Sequence, residues 1–219
     1  TIDSGRSEAY NKPFTLTESG SLVVISYSGD FLESTESKPV QINILPSWTV
    51  SITSTGGGSA SLLEEGASFI QGTEVTVKAE AEAGWKFIGW EGDLESADAS
   101  FTFTVAKAVK LKAVFGTKVA LNAVPPGSGR IELQPDSGLY ANARSYTAQA
   151  VPSDGYYFRS WAGGISQLSP LEYVVETANP TLTGLFLPLA AGDVSLTPLV
   201  KGDGFVKVGA DQNVFAEGA

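Results

Sequence analysis

The 219-residue sequence contains no cysteine, no histidine and no methionine, and each absence narrows its chemistry. Without cysteine there is no thiol nucleophile, no disulfide and no thiolate metal site. Without histidine there is no Ser-His-Asp or Cys-His arrangement, and no imidazole ligand for zinc, copper or iron. Since no motif identifies a reaction, we expect the chain not to be an enzyme. Because it lacks methionine, we also expect it to be a processed or excised piece.

Charged residues are few, and those of positive sign are fewer. The sequence has 14 Lys and Arg against 24 Asp and Glu, which gives a net charge of −10. Binding to a phosphate backbone requires clustered Lys and Arg, so we expect no nucleic-acid partner. No segment approaches the run of ~20 apolar residues that forms a membrane helix, so we expect no membrane insertion by this segment.

Short strand-like segments dominate what the sequence does contain. Residues 22–27, 74–79, 100–105 and 110–115 are rich in β-branched and aromatic side chains, and most alternate with period two. Clusters of turn-forming residues lie between such segments, as at 54–58, 125–129 and 202–204. Convincing helical periodicity is absent. The sequence therefore predicts an all-β protein built from many short strands.

A nine-residue segment occurs twice. Residues 84–92 match residues 155–163 at an offset of 71, with glycine, aromatic and Trp-x-Gly positions in the same order. The same offset pairs Gly58 with Gly129, Phe69 with Tyr140, and Phe115 with Phe186. An ungapped match over turns, strands and aromatic residues indicates a tandem repeat of about 71 residues.

A third copy is predicted to begin near Gly192. Its carriers follow those of the second copy at an offset of 75, and they are Val194, Gly204, Val206, Val208 and Phe215. The predicted organisation is a partial module at 1–46, repeat 1 at 47–117, repeat 2 at 118–188 and a truncated third repeat at 189–219. We expect residues 116–118 and 188–192 to be short linkers.

Large aromatic side chains are predicted to fill one core in each repeat. A domain of this size without disulfide or metal needs efficient burial, and each buried aromatic residue hides roughly 150–250 Å². The candidate core residues are Phe87, Trp90 and Phe115 in repeat 1, and Phe158, Trp161 and Phe186 in repeat 2. A β-bulge near Gly89 and Ser160 would let both aromatic residues of each motif face inward despite their odd spacing.

These motifs resemble the divergent internalin B-type (InlB B-repeat-like) repeats of bacterial surface proteins. The residues that carry the resemblance are Gly84, Trp85, Phe87, Trp90, Gly92, Ala113 and Phe115, with Gly155, Tyr156, Phe158, Trp161, Gly163, Gly184 and Phe186 in the second copy. The resemblance implies small β-rich, β-grasp-like domains. It also implies a spacer or adhesion module in a large exported protein at the cell surface or outside the cell.

The first 46 residues have a looser resemblance. They are similar to the C-terminal part of the immunoglobulin-like β-sandwich module found beside chitobiases and β-hexosaminidases. The residues that carry this likeness are Tyr10, Pro13, Phe14, Leu16, the strand-like segment 22–27 and Gly29.

Three functions remain open at the level of sequence. The first is a structural spacer whose partners are neighbouring domains of the same polypeptide. The second is a carbohydrate-binding accessory region, in which Trp85, Tyr156 and Tyr157 stack on sugar rings of a polysaccharide; the alternative for these rings is packing against the neighbouring repeat. The third is a filament subunit that pairs with another copy of itself by strand exchange at open edges.

Calcium is the one cofactor that the acidic residues could bind, because without cysteine and histidine only a hard ion with oxygen ligands remains open. The candidate ligands are Glu64, Glu65, Glu91, Asp93, Glu95 and Asp98. Ala162, Gly164 and Ser166 stand at the places of Glu91, Asp93 and Glu95 in the second copy, so a site common to both repeats is not expected. We therefore predict solvated loop charge, no cofactor, and no catalytic carboxylate pair.

Overall fold

A computed structural model describes residues 13, 15–30, 32–196 and 214–216. In this part of the chain the prediction of an all-β protein is confirmed, since the one helical segment is a 3-10 turn at Ala162–Gly164. The strands are β1 Gly20–Leu22, β2 Ile25–Tyr27, β3 Ser34–Glu36, β4 Val40–Ile42, β5 Ser47–Ser54, β6 Gly58–Leu62, β7 Ser68–Ile70, β8 Glu74–Ala81, β9 Lys86–Gly92, β10 Ser100–Thr104, β11 Val109–Thr117, β12 Ala120–Val124, β13 Gly129–Gln134, β14 Tyr140–Ala141, β15 Ser145–Pro152, β16 Tyr156–Trp161, β17 Leu171–Val174, β18 Thr181–Pro188, β19 Asp193–Ser195 and β20 Val214–Ala216.

The segment before repeat 1 forms one long antiparallel hairpin. β1 pairs with β4, and β2 pairs with β3. The strand predicted over 22–27 is interrupted at Val23 and Val24, where Ser37 donates its backbone N–H to the carbonyl of Val24 and accepts the Val24 N–H with its hydroxyl. Of the residues that carry the looser resemblance, Leu16 lies outside any strand, while Tyr10 and Phe14 lie outside the described residues.

Each repeat consists of two small sheets with the same connections. In repeat 1 the antiparallel sheet β6-β8-β10 accompanies a sheet in which β11 lies between β5 and β9. In repeat 2 the sheets are β13-β15-β17 and β12-β18-β16. The first and last strands of each repeat are parallel neighbours, whereas the other pairs within each repeat are antiparallel.

The predicted bulge is confirmed in both copies. Phe115 is paired with Phe87 while Val114 is paired with Gly89, so Ile88 is the extra residue. The same irregularity in repeat 2 leaves Arg159 as the extra residue between Phe158 and Ser160. An extra residue reverses the alternation of side chains along the strand, and this turns both aromatic residues of each motif toward one face.

Each repeat has its own hydrophobic core. Trp90 and Phe115 are buried in the first, with Phe87 half-buried against them; Phe158, Trp161 and Phe186 are buried in the second. The two indole N–H groups reach backbone carbonyls, from Trp90 to Asp98 at 3.1 Å and from Trp161 to Leu168 at 2.8 Å. Partnered N–H groups allow such large rings to be buried without an unsatisfied donor.

A glycine in each repeat makes room for the last aromatic ring. A Cβ atom on Gly58 would lie 2.5 Å from the ring of Phe115, and one on Gly129 would lie 2.7 Å from the ring of Phe186. Since real Cβ atoms do not approach ring atoms so closely, these positions require glycine for packing. The alignment of Gly58 with Gly129 at the offset of 71 thus reflects the same contact, glycine against a phenyl ring, in both repeats.

Candidate functional site at the repeat junction

The two repeats share a stretch of backbone. At the start of repeat 1, Trp48 of β5 is paired with Phe69 of β7. Tyr140 occupies the place of Phe69 in repeat 2, but its partner is Thr117, a residue of the last strand of repeat 1. The end of β11 therefore also serves as the start of the first strand of repeat 2.

The prediction of a linker at 116–118 is wrong for two of its three residues. Gly116 and Thr117 are buried strand residues, and Thr117 is only 1% exposed. Gly116 and Thr117 are paired with Ala141 and Tyr140 respectively, on the edge of β11 beyond the end of β5. The backbone ladder thus crosses the repeat boundary, and only Lys118 and Val119 separate β11 from β12.

The hydroxyl of Thr117 joins three segments at this boundary. It donates a hydrogen bond to the carbonyl of Gly84 at 2.7 Å. It accepts the backbone N–H of Asn179 at 2.8 Å. Gly84 belongs to the turn before β9 in repeat 1 and Asn179 to the turn before β18 in repeat 2, so one buried hydroxyl ties the turns of both repeats together.

Gly84 is required here for two physical reasons. Its φ of +82° is a conformation that residues with side chains rarely adopt. A Cβ atom on Gly84 would also lie 2.7 Å from the side-chain amide nitrogen, Nδ2, of Asn179 and 2.8 Å from the methyl group of Ala178. The counterpart in repeat 2, Gly155, has a similar φ but nothing within 4 Å of the same position. The close packing of Asn179 and Ala178 against Gly84 is therefore specific to the junction and is not a general property of the repeat.

Asn142 makes a second set of contacts across the boundary. Its side-chain amide donates to the carbonyl of Thr55 at 3.0 Å, and its backbone N–H donates to the carbonyl of Phe115 at 2.9 Å. Both acceptors belong to repeat 1. Asn142 therefore bonds to two different segments of repeat 1, to one through its side chain and to the other through its backbone.

The predicted acidic residues have a different use in the structure. Glu91 forms ion pairs with Arg144 of repeat 2 and with Lys112, the latter at 3.8 Å. Asp93 accepts the backbone N–H of Lys110 at 2.7 Å. These ion pairs are half-exposed, and pairs of that kind stabilise a protein by roughly 0–1 kcal/mol. Among the described residues, no three acidic side chains gather into a group that could hold a metal ion.

Trp85 lies between the two hydrophobic cores. It is half-buried and packs against the core of repeat 1 and that of repeat 2. Its ring lies so close to Gly57 that a Cβ atom there would overlap it. Tyr156, at the same place in repeat 2, packs against the second core, and Tyr157 is half-buried in β16. Stacking of sugar rings on these three side chains stays a prediction.

A third strand pair repeats the register of the first. Val194 of β19 is paired with Phe215 of β20, as Trp48 is with Phe69. Here, however, residues 189–192 separate the end of β18 from β19. Pro188 stands where β11 has Thr117, so the hydroxyl and the N–H of that position are both missing. Gly204, Val206 and Val208, predicted for the third copy, lie outside the described residues.

Two tyrosines of repeat 2 replace phenylalanines of repeat 1. Tyr140 occupies the place of Phe69, and Tyr173 that of Phe103. Burial raises the pKa of both phenols above 10.0, and the charge of Asp136, which accepts the Tyr140 hydroxyl at 3.3 Å, raises the pKa of Tyr140 further. The folded state thus favours the neutral phenol more strongly than the unfolded chain does.

Repeat 2 should consequently lose stability in alkali. The stabilisation is complete below the unfolded pKa of about 10 and is lost as the pH rises through the higher folded values. The double variant Tyr140→Phe and Tyr173→Phe should reduce the fall in unfolding free energy between about pH 8 and about pH 11. Denaturant unfolding at both pH values measures this change in the free energy of unfolding. An equally steep fall in the variant would contradict the assignment to these phenols.

Sequence reasoning missed most of the junction. The sequence pattern predicts a linker at Thr117 and does not single out Asn142, Arg144 or Asn179, because a polar residue near a turn carries no distinctive pattern. In the structure the first strands of the two repeats are related by an offset of 69 instead of 71, since Ile52 is paired with Leu111 and Leu121 with Leu182. With this shorter offset Thr117 takes the place of Trp48 at the start of the first strand of repeat 2, and it is also the last residue of β11, so the two repeats overlap there.

Comparison with known proteins agrees with this geometry. The family described as the divergent InlB B-repeat domain matches twice, at residues 48–119 and 117–189, so the two matches overlap at the shared backbone.

The resemblance of residues 1–46 to an immunoglobulin-like module stays a prediction. The comparison with curated proteins gives no match. No helix in the described ranges is long and apolar enough to cross a membrane. The chain belongs to the divergent InlB B-repeat family, of which it carries two copies in tandem.

Proposed function

We propose that the chain is a non-catalytic spacer of an exported bacterial surface protein, in which the repeats form a rod with a fixed direction. The observation that carries this proposal is the shared backbone at Gly116 and Thr117. A flexible linker lets the direction of the next module vary, whereas strand pairing across the boundary transmits it. Reach from the surface then increases in proportion to the number of repeats.

The side-chain contacts support the same conclusion. The buried hydroxyl of Thr117, the two donors of Asn142 and the ring of Trp85 lie at different points of the boundary. Contacts spread in this way oppose bending in more than one direction. The net charge of −10 would keep a long array of such modules soluble.

Small-angle scattering across a concentration series tests the proposal. A compact protein of this length has a radius of gyration near roughly 17 Å. We expect a monomeric mass at all concentrations and a radius clearly above that value. A radius near that of a compact globule would contradict the rod. A mass that rises with concentration would instead favour the filament alternative, in which open strand edges pair between chains.

A further inference from the structure

The first and last strands of each repeat are parallel neighbours. In repeat 1, five consecutive residues of β5, from Val50 to Ser54, are paired with Val109 to Ala113 of β11. In repeat 2, the five residues of β12 are paired with Thr181 to Leu185 of β18. The two strands through which the chain enters and leaves a repeat are therefore bonded directly to each other.

We propose that these terminal strand pairs are mechanical clamps that keep the repeats folded under tension along the chain. In a parallel pair, the chain enters one strand at one end and leaves its neighbour at the opposite end. Tension then pulls the strands past each other along their length, so all the inter-strand hydrogen bonds carry the load together. In an antiparallel terminal pair the bonds would open one after another. This inference deepens the proposed spacer function, on which its use at a cell surface rests.

The clamp of repeat 1 extends beyond the five pairs. Thr55 donates its backbone N–H to the carbonyl of Ala113 at 3.0 Å, and its hydroxyl accepts the N–H of Phe115 at 3.2 Å. Val50 is buried and Ile52 packs against the same core, so sliding of β5 would also drag apolar side chains out of their contacts. β11 is also paired with β9 and β5 with β7, so sliding of the two terminal strands would strain those pairs as well.

The clamp of repeat 2 has the same number of paired residues but one side-chain hydrogen bond fewer. Its pairing ends where Val124 meets Leu185, and the next two residues, Pro125 and Pro126, have no N–H to donate. At its start, Ala120 donates its backbone N–H to the carbonyl of Pro180 at 2.8 Å. Val124 stands at the place of Thr55 and is itself paired with Leu185, but it has no hydroxyl to accept an N–H, so the side-chain bond of Thr55 has no counterpart. We therefore expect repeat 2 to rupture at a lower force than repeat 1. The load reaches both clamps because β11 leads directly into β12.

Single-molecule force spectroscopy on the full chain, pulled through its two ends, tests the clamp. Each repeat that unfolds should release up to roughly 250 Å of extended chain in one step. The variant Thr55→Val removes the hydroxyl that accepts the Phe115 N–H and should lower the higher of the two rupture forces. The matched control is Thr102→Val, which removes the hydroxyl contact with Thr76 at 2.8 Å in the other sheet of repeat 1. That control should leave the rupture force unchanged.

Changing the pulling direction provides a second test that does not depend on a destabilised variant. The absence of native cysteine allows handles at Thr49→Cys and Lys110→Cys, which lie near the starts of the two parallel strands. Force across these handles separates the strands from one end, so rupture should need several-fold less force than pulling through the chain ends. Forced unfolding follows the unfolding rate along the direction pulled, so direction is the appropriate variable.

Two results would overturn the clamp. One is equal rupture force in the two pulling directions. The other is an equal loss of rupture force in Thr55→Val and Thr102→Val. Either result would leave the spacer proposal in place if scattering still showed an elongated monomer. A compact radius together with a direction-dependent rupture force would instead contradict the spacer and keep the clamp.

Discussion

Truncation of Trp161 to alanine should unfold repeat 2 and leave repeat 1 folded. The ring is 1% exposed, lies 5.1 Å from the ring of Phe158 between centroids, and donates its N–H to Leu168. Removal of a buried aromatic side chain costs about 3–5 kcal/mol. A folded domain of some 71 residues has a total stability of only about 4–11 kcal/mol, so the loss is large enough to unfold a repeat whose stability lies toward the lower end of that range. This is the largest effect of a single substitution that we expect.

Hydrogen exchange resolved by mass spectrometry can locate the loss. Amides of β13, β15 and β18 should exchange freely in Trp161→Ala, while those of β6, β8 and β11 stay protected. The matched variant Trp90→Ala should show the reverse pattern, because Trp90 occupies the same place in the first core. Loss of protection throughout the chain in either variant would mean that the two cores form one cooperative unit.

Removal of the junction hydrogen bonds should free the two repeats without unfolding them. The double variant Thr117→Val and Asn142→Ala leaves the two backbone pairs of β11 with β14 and the backbone bond of Asn142 to Phe115 as the hydrogen bonds described above that still hold the boundary. It leaves the carbonyl of Gly84 and the N–H of Asn179 without their partner, and it removes the side-chain bond to Thr55. A buried polar group that loses its partner costs about 1–3 kcal/mol, so this boundary should open before either core does.

The repeats themselves could be predicted from the sequence because the same large residues recur in the core of each copy. The glycine, the two inward aromatic residues and the bulge between them recur at a constant offset, and each has a packing reason. Period-two alternation identified the strands, since one face of each sheet is buried. The family resemblance depended on the same residues, and it is confirmed over 48–119 and 117–189.

The junction could not be predicted in this way. Alternation along a strand fixes which face is buried but does not say which neighbour the strand pairs with. A shift of two residues preserves the inward and outward positions, so the sequence pattern does not distinguish an offset of 69 from one of 71. Thr117 therefore looked like part of a linker, although its hydroxyl is buried between two turns that are distant in sequence.

The most direct test of the rigid junction is a distance distribution between the two repeats, measured by pulsed electron spin resonance. Spin labels at Thr104→Cys and Val174→Cys lie on exposed positions of β10 and β17, and the chain has no native cysteine to interfere. We predict one narrow distribution in the otherwise unmodified chain and a broad one when Thr117→Val and Asn142→Ala are added. Thr102→Val serves as the control and should keep the narrow form. A broad distribution in the otherwise unmodified chain would contradict the account.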